Sequence, residues 1–411
     1  MSSFGLISFY AGRLLRSGTP ETSTIRPVMR ISVTGIVLGV TAMLLSTMIV
    51  GGFRHEIETK VTGFVADYKI SAFSNNTSYE EEPFRMTGEK LGVLKSTEGV
   101  RHIQETAQKA ALMKTASEIQ GIVMKGMGTD FDTTFFHGRL KSGRFPLLQS
   151  NEGVMEVLLS EQLSRKLKVK TGDSFLVFFI REERKVRKVK ICGIYSTGLT
   201  EEFDNLYVLC DIRLIRQING WKDGECGSYE VFLKPDADPA GVFDRMYSTI
   251  GFELNLQSAA ERYPQLYNWL ELQNLNVAVI IGLISLVAVI TMISTLLILV
   301  MENTRAIGIL KSIGATDRLV GRIFGFVAFQ ILARGLLLGN FIALLLALFQ
   351  SQTHFFTLPE ESYYISAIPI HFTLPGWLAV NSIVFICGLI IMLIPARITA
   401  GINPVKVLRF D

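Results

Sequence analysis

Residues with the chemistry of an enzyme are sparse in this sequence. It has four cysteines in 411 residues (Cys192, Cys210, Cys226 and Cys387), with no CxxC and no metal-type spacing. Cys387 lies in an apolar run, so at most one disulfide joins two of the other three. Cys192 and Cys210 stand in apolar, strand-like sequence, and buried free thiols are the preferred reading. The five histidines (His55, His102, His137, His354 and His371) show no ligand spacing, and His55-Glu56 lacks the second histidine of a zinc protease. No G-x-x-x-x-G-K-[ST] occurs, so the chain has no phosphate cradle of the P-loop kind. Gly126-Met-Gly-Thr completes no nucleotide fingerprint and reads as a turn. The apolar runs hold no Asp, Glu or His in their interiors, and so no polar pair for an intramembrane protease. A net charge of +4 is too small to argue for nucleic acid. No catalytic residue, metal ligand or bound cofactor is assigned.

What the chain has is hydrocarbon. Mean hydropathy is +0.35 and 49% of residues are hydrophobic, the balance of a membrane protein with a sizeable soluble portion. Four apolar runs, 28–50, 273–301, 319–349 and 377–395, reach about the 20 residues that cross a hydrocarbon core of about 30 Å. The first is too long for a signal-peptide core and no small-x-small site follows, so it reads as an uncleaved anchor. Between the first two runs, 51–272 contains no spanning stretch. Tyr68–Phe73, Ile119–Lys125, Val154–Leu159, Phe175–Ile180, Val186–Ile194 and Tyr229–Leu233 read as strands, rich in β-branched and aromatic residues. Ser160 and Asp211 are candidate N-caps, and Ala240–Ile250 reads as a further helix. Asn75-Asn76-Thr77 is formally a glycosylation acceptor and reads as a polar loop. Arg181 to Lys185 reads as a solvated hairpin tip. The fold class is therefore α+β: four transmembrane α-helices with a large α+β extracytoplasmic domain inserted between helices 1 and 2.

Positive charge sets the orientation. Arg13, Arg16, Arg26 and Arg30 precede or open the first run. Arg305, Lys311, Arg318 and Arg322 lie in or beside 302–318, and Arg397, Lys406 and Arg409 follow the last run. The connection 350–376 carries neither Lys nor Arg. Both termini and 302–318 are expected in the cytoplasm, and 51–272 outside. Ser3 to Arg16 gathers Phe4, Ile7, Ala11, Leu14 and Leu15 on one helical face, the pattern of an interfacial helix in 1–27.

The segment 302–318 is the centre of the arrangement. Ile307, Leu310 and Ile313 recur at helical spacing, and Gly314 is a helix terminator. A short amphipathic helix held between two spans suits docking of a partner at the membrane surface, through Thr304, Arg305, Ile307, Leu310, Lys311, Ile313 and Gly314. A linker resting on lipid would show the same stripe. Gly35 and Gly39 form a GxxxG, and Gly335 and Gly339 repeat the spacing; both pairs are assigned to helix packing. Arg334, with Gln330 one turn before it, is the exception to the apolarity of the spans. It is either a polar or cargo site in the membrane or a charge that snorkels without a role.

These motifs resemble a known family. Arg305-Ala-Ile-Gly-Ile-Leu-Lys-Ser-Ile-Gly-Ala315, followed by Ile323-Phe324, resembles the coupling segment of permeases of the MacB/FtsX/LolC-LolE superfamily of ABC systems. Arg13-Leu-Leu-Arg16, Gly35-Ile-Val-Leu-Gly39 and Val50-Gly-Gly-Phe53 resemble its lipoprotein-releasing branch. So do Val123-Met-Lys-Gly-Met127, Gly143-Arg-Phe145, Leu167 to Asp173, Val189 to Ile194 and the ending Ile402 to Arg409. The chain departs from that branch at Gln330 and Arg334, where small residues are usual, and shows no clear equivalent of the loop that recruits a periplasmic carrier. The resemblance implies a permease of the inner membrane, not itself an enzyme, with ATP held by a separate cytoplasmic ATPase. It also implies a second permease, either a copy or a paralogue, and lipoprotein cargo passed to a periplasmic carrier. A MacB-type efflux permease and an FtsX-like scaffold that activates a cell-wall hydrolase are the alternatives.

The charge distribution makes a direct prediction. In a cysteine-free background, Ser78→Cys and Glu360→Cys should react with an impermeant thiol reagent in intact spheroplasts, and Thr316→Cys only after permeabilisation. Labelling of position 316 from outside overturns the expected topology.

Overall fold

The computed structural model describes residues 25–74, 79–115, 118–148, 155–179, 185–199, 203–359 and 365–391. The interfacial helix expected at Ser3–Arg16, the acceptor at Asn75, most of the tip at Arg181–Lys185 and the tail from 396 lie outside these residues. In chain order the helices are α1 (Ile25–Val65), α2 (Gly88–Ser96), α3 (Glu161–Leu167), α4 (Ile212–Asn219), α5 (Pro239–Ile250), α6 (Ala259–Arg262), α7 (Pro264–Glu302), α8 (Thr304–Ser312), α9 (Asp317–Thr353) and α10 (Leu374–Ile391). The strands are β1 (Tyr68–Ala72), β2 (Val100–Lys114), β3 (Ile119–Met127), β4 (Leu140–Gly143), β5 (Glu156–Ser160), β6 (Ser174–Phe179), β7 (Lys185–Tyr195), β8 (Tyr207–Asp211), β9 (Ser228–Leu233) and β10 (Leu254–Ser258). Contacts divide the chain into a helical unit (1–55, 269–357 and 367–411) and a sheet unit (56–268 and 358–366).

In the helical unit, α1, α7, α9 and α10 are long and apolar enough to cross a membrane. α1 and α7 both run beyond their apolar stretches, because the polar stalks at 51–65 and 264–276 carry no interior proline to end them. The buried core is built from Ile36, Val40 and Met43 of α1, Leu296 and Leu299 of α7, Val327 and Ile331 of α9, and Val384 of α10. Since lipid is as apolar as leucine, such helices associate through close packing and hydrogen bonds rather than through the hydrophobic effect. A Cβ on Gly335 would lie 2.7 Å from Ile36 Cβ, and one on Gly339 would lie 2.8 Å from Val40 Cβ. α9 therefore meets α1 through these two glycines. A Cβ on Gly39 would meet Ile284 of α7 at 3.2 Å, whereas Gly35 faces nothing within 4 Å. Ser32 and Thr295, both buried, hydrogen-bond between α1 and α7. Gly52 lets the chain at Pro369 approach, its would-be Cβ lying 2.5 Å from the Pro369 carbonyl oxygen. His371 N–H then bonds the Met48 carbonyl at 3.1 Å, and the His55 and His371 rings stack at 4.5 Å.

The sheet unit is organised on one ten-stranded sheet. Its order is β10-β1-β9-β2-β3-β8-β5-β7-β4, with β6 bridging β2 and β7. All pairings are antiparallel except β3–β8 and β5–β7. α2, α4 and α5 pack on it, and the core joins Ile70, Ile103, Met124, Val208, Ile215, Val231 and Met246. Ser160 and Asp211 cap α3 and α4, their side chains accepting from Leu163 N and Arg213 N. α5 matches the expected helix, capped by Asp238. Six strands fall where β-branched and aromatic content placed them. β2, β4, β8 and β10 were not anticipated. β2 reads Val-Arg-His-Ile-Gln-Glu-Thr-Ala-Gln-Lys-Ala-Ala-Leu-Met-Lys, a helix-like composition. It is a strand because its polar groups are satisfied by β9 and by the segment after β1: Gln104 donates to Glu230 at 2.8 Å, Thr106 pairs with Ser228 at 3.0 Å, and Lys109 meets Glu80 at 2.7 Å.

Gly335 and Gly35 predict opposite outcomes. Gly335→Ala should overpack α9 against α1 and cost about 1–3 kcal/mol. Gly35→Ala should be neutral or slightly stabilising, through the gain in helix propensity. Thermal unfolding in detergent checks both; a loss at Gly35 as large as at Gly335 would contradict the packing.

Candidate functional site

α8 stands between two spanning helices and is held on one side only. Its first turn is tied back to α7 by Thr304 Oγ1, which donates to the carbonyls of Val300 (3.1 Å) and Met301 (2.6 Å). Ile307 is 1% exposed and packs into the helical core, with Gly308 buried beside it. The end is a Schellman motif: Ala315 N–H bonds the Leu310 carbonyl and Gly314 N–H the Lys311 carbonyl, both at 3.0 Å, with Gly314 at φ +99°. Lys311 forms an ion pair with Asp317 at 2.6 Å, and Thr316 caps the start of α9.

The expected stripe is thereby divided. Ile307 points inward, Leu310 is half-buried, and Ile313 is 78% exposed. The outward face is instead Arg305, Ala306, Ile309 (45% exposed) and Ile313. Periodicity of Ile307, Leu310 and Ile313 named the apolar positions without saying which side the rest of the bundle covers. Arg305 is exposed; Lys311 is turned to its own chain.

Within the spans, Arg334 is exposed on α9 and has no hydrogen bond or ion pair among the described residues. Gln330 one turn before it buries a side-chain oxygen without a partner. A second polar site escaped notice because it bears no charge. Asn340 Nδ2 donates to Asn381 Oδ1 at 2.7 Å, and Trp377 Nε1 to Asn340 Oδ1 at 2.6 Å, joining α9 to α10. Two amides inside apolar runs were the available signal.

In the sheet unit one group is unusual. Lys125 of β3 is fully buried, its ammonium 2.7 Å from Glu230 of β9 and 2.6 Å from the carbonyl oxygen of Phe64 in the last turn of α1. Burial drives the lysine below its ordinary pKa, and the Glu230 carboxylate opposes that. Glu230 is in turn held by Gln104, and Arg262 Nη2 donates to the Ala66 carbonyl at 2.7 Å. Two cations thus meet the C-terminal carbonyls of α1, where the helix dipole favours them. Ala66 sits at φ +62° to turn the chain into β1.

These elements define a membrane protein of four spanning helices, with a mixed sheet domain inserted after the first and a short surface helix between the second and third. The family profile described as MacB-like periplasmic core domain matches residues 31–246, and that described as FtsX-like permease C-terminal matches 278–404. The chain belongs to this family of MacB/FtsX-type ABC transporter permeases, which includes LolC and LolE. It is similar to the lipoprotein-releasing system transmembrane protein LolC of Xylella fastidiosa, 24% identical over 404 residues, covering 92% of this chain and 93% of that protein. It is 20% identical over 421 residues to the LolE of Haemophilus influenzae, covering 97% and 98%. The crystal structure of the periplasmic region of MacB from Actinobacillus actinomycetemcomitans aligns with 51% of this chain and 96% of its own, at 12% identity and a TM-score of 0.33.

Lys125→Met should leave Glu230 buried and unpaired, costing about 3–5 kcal/mol. The double change Lys125→Met with Glu230→Gln should recover much of that loss. Hydrogen exchange should accelerate at 60–68 in the single variant; unchanged exchange there would separate Lys125 from the end of α1.

Proposed function

We propose that this chain is the permease subunit of a machine that lifts lipoproteins from the outer leaflet of the inner membrane, driven by ATP hydrolysed on a separate cytoplasmic subunit. The reading is supported by the names of the LolC and LolE relatives, aligned over nearly the full length of each chain. The observation that carries the docking assignment is α8. Its inner side is fixed by Ile307 and Gly308, while Ile309 and Ile313 stand in solvent beside Arg305. An apolar pair one turn apart on an anchored helix is a helix-in-groove ligand. Because α8 is bonded to α7 and followed directly by α9, a displacement of the ATPase reaches both spans. The distribution of basic residues supports a cytoplasmic position for α8 and both termini.

On this reading the chain itself holds no ATP and performs no bond cleavage. A second permease, a copy or a paralogue, completes the transport path, and the cargo leaves with a periplasmic carrier. With Leu319 near the cytoplasmic interface, a rise of about 1.5 Å per residue puts Arg334 about 22 Å along α9, in the outer half of the bilayer. A guanidinium there meets an anionic group of cargo, or a polar group of the second permease, more readily than hydrocarbon.

Ile309→Glu with Ile313→Glu should release the ATPase on purification, or uncouple hydrolysis from transport, while membrane levels stay normal. Retention of the ATPase with full transport defeats the docking assignment. Lipidated proteins co-purifying with the complex support release; co-purification of an adaptor and an outer-membrane channel, or of a cell-wall hydrolase, assigns the chain to efflux or signalling instead.

A further inference from the structure

One cleft of the sheet unit has no part in the function proposed above. It measures about 310 Å³, and is lined by Lys60 of α1, by His137, Arg139 and Lys141 around the start of β4, and by Ser196 and Thr197 after β7. That volume is at the lower end of small-ligand sites. Its polar groups are of one kind. Three cations and an imidazole converge, and no carboxylate lines the cleft among the described residues.

One donor is held in place, and several have no partner among the described residues. Arg139 is fixed by its guanidinium lying 4.2 Å from the centre of the Phe135 ring and by Nη1 donating to the Phe135 carbonyl at 2.7 Å. Its Nε and Nη2 have no partner among the described residues, and neither do the Lys141 ammonium, the His137 ring and the Ser196 hydroxyl. Lys60 is buried and already engaged, so it contributes charge rather than a free donor. The 196–199 loop is rigid. Its neighbouring carboxylate, Asp204, is buried and accepts from Thr197 N, Thr197 Oγ1 and Gly198 N at 2.9–3.3 Å. The strand behind it is tied by Ser196 N–H to the Arg139 carbonyl at 3.0 Å.

A planar fork, a point charge and a hydroxyl around a cleft of this size match a tetrahedral oxyanion with several acceptor oxygens. We propose that this cleft binds a phosphate-bearing anion, held by Arg139 and Lys141 with Ser196 as the neutral donor. The phosphate belongs either to a lipid headgroup or to a free phosphate compound. The assignment is independent of which cargo the permease handles.

Calorimetric titration of the full-length protein in non-ionic detergent tests it, with inorganic phosphate and glycerophosphoglycerol, the soluble headgroup of phosphatidylglycerol, as probes. Wild-type protein should bind at least one of them, and the stronger of the two names the source. Lys141→Gln with Ser196→Ala, which removes no hydrogen bond or ion pair among the described residues, should weaken binding about tenfold or more, the loss expected for a charge-assisted bond. Lys166→Gln, an exposed lysine on α3, should leave it unchanged. The proposal is overturned if neither probe binds, if the double variant binds as wild type, or if Lys166→Gln loses as much, which would make the effect one of net charge.

Discussion

A single buried ammonium holds the sheet unit to the helix that enters it. Lys125 lies mid-strand in β3, where an unpaired charge would not survive desolvation. It is tolerated because two acceptors are arranged in advance, the Glu230 carboxylate across the sheet and the Phe64 carbonyl at the end of α1, while Gln104 donates to Glu230 from behind and holds it in place. Helix termini always leave such carbonyls unsatisfied. Here they are satisfied by a group rooted in the central strands, so the end of α1 cannot shift without breaking a buried ion pair. Arg262, two residues before the start of α7, reaches the Ala66 carbonyl, two residues beyond Phe64. The chain leaving the helical unit and the chain returning to it are therefore bonded to each other at the sheet.

The helical unit is held differently, since burial against lipid gives little preference for one arrangement over another. Glycines at 335 and 339 allow α9 to touch α1, while hydroxyl and amide pairs at Ser32–Thr295 and Asn340–Asn381 select neighbours. These contacts are short-range and specific, so the bundle resists being sheared. α8 is likewise fixed: one side embedded, its end closed by Gly314, the opposite side available.

The spans, their order and the large insertion were legible in the sequence because each depends on a local quantity. Twenty apolar residues cross a bilayer whatever surrounds them, and lysine and arginine bias the side on which a loop stays. The caps at Ser160 and Asp211 and the stop at Gly314 were legible for the same reason, since a capping bond is made within a few residues. Strands rich in β-branched and aromatic residues could also be read. The family resemblance rested on such short motifs.

Partners distant in the chain were decided by the tertiary structure. β2 has the composition of a helix, and only Ser228, Glu230 and Glu80 from elsewhere in the chain make its polar side chains acceptable in a sheet. Periodicity named Ile307, Leu310 and Ile313, but the packing of Ile307 into the bundle moved the outward face to Ile309 and Ile313. Gly35 and Gly39 read alike, yet only Gly39 has a neighbour, because which face of α1 is covered depends on where α7 lies. Lys125 stands inside the motif Val123 to Met127, but nothing in that motif names its partners Glu230 and Phe64, and the cleft at Arg139 carried no motif. A sequence states which groups are charged or apolar and how they repeat; which groups meet follows from loop closures over tens to hundreds of residues, and those are set by the packing of the whole chain.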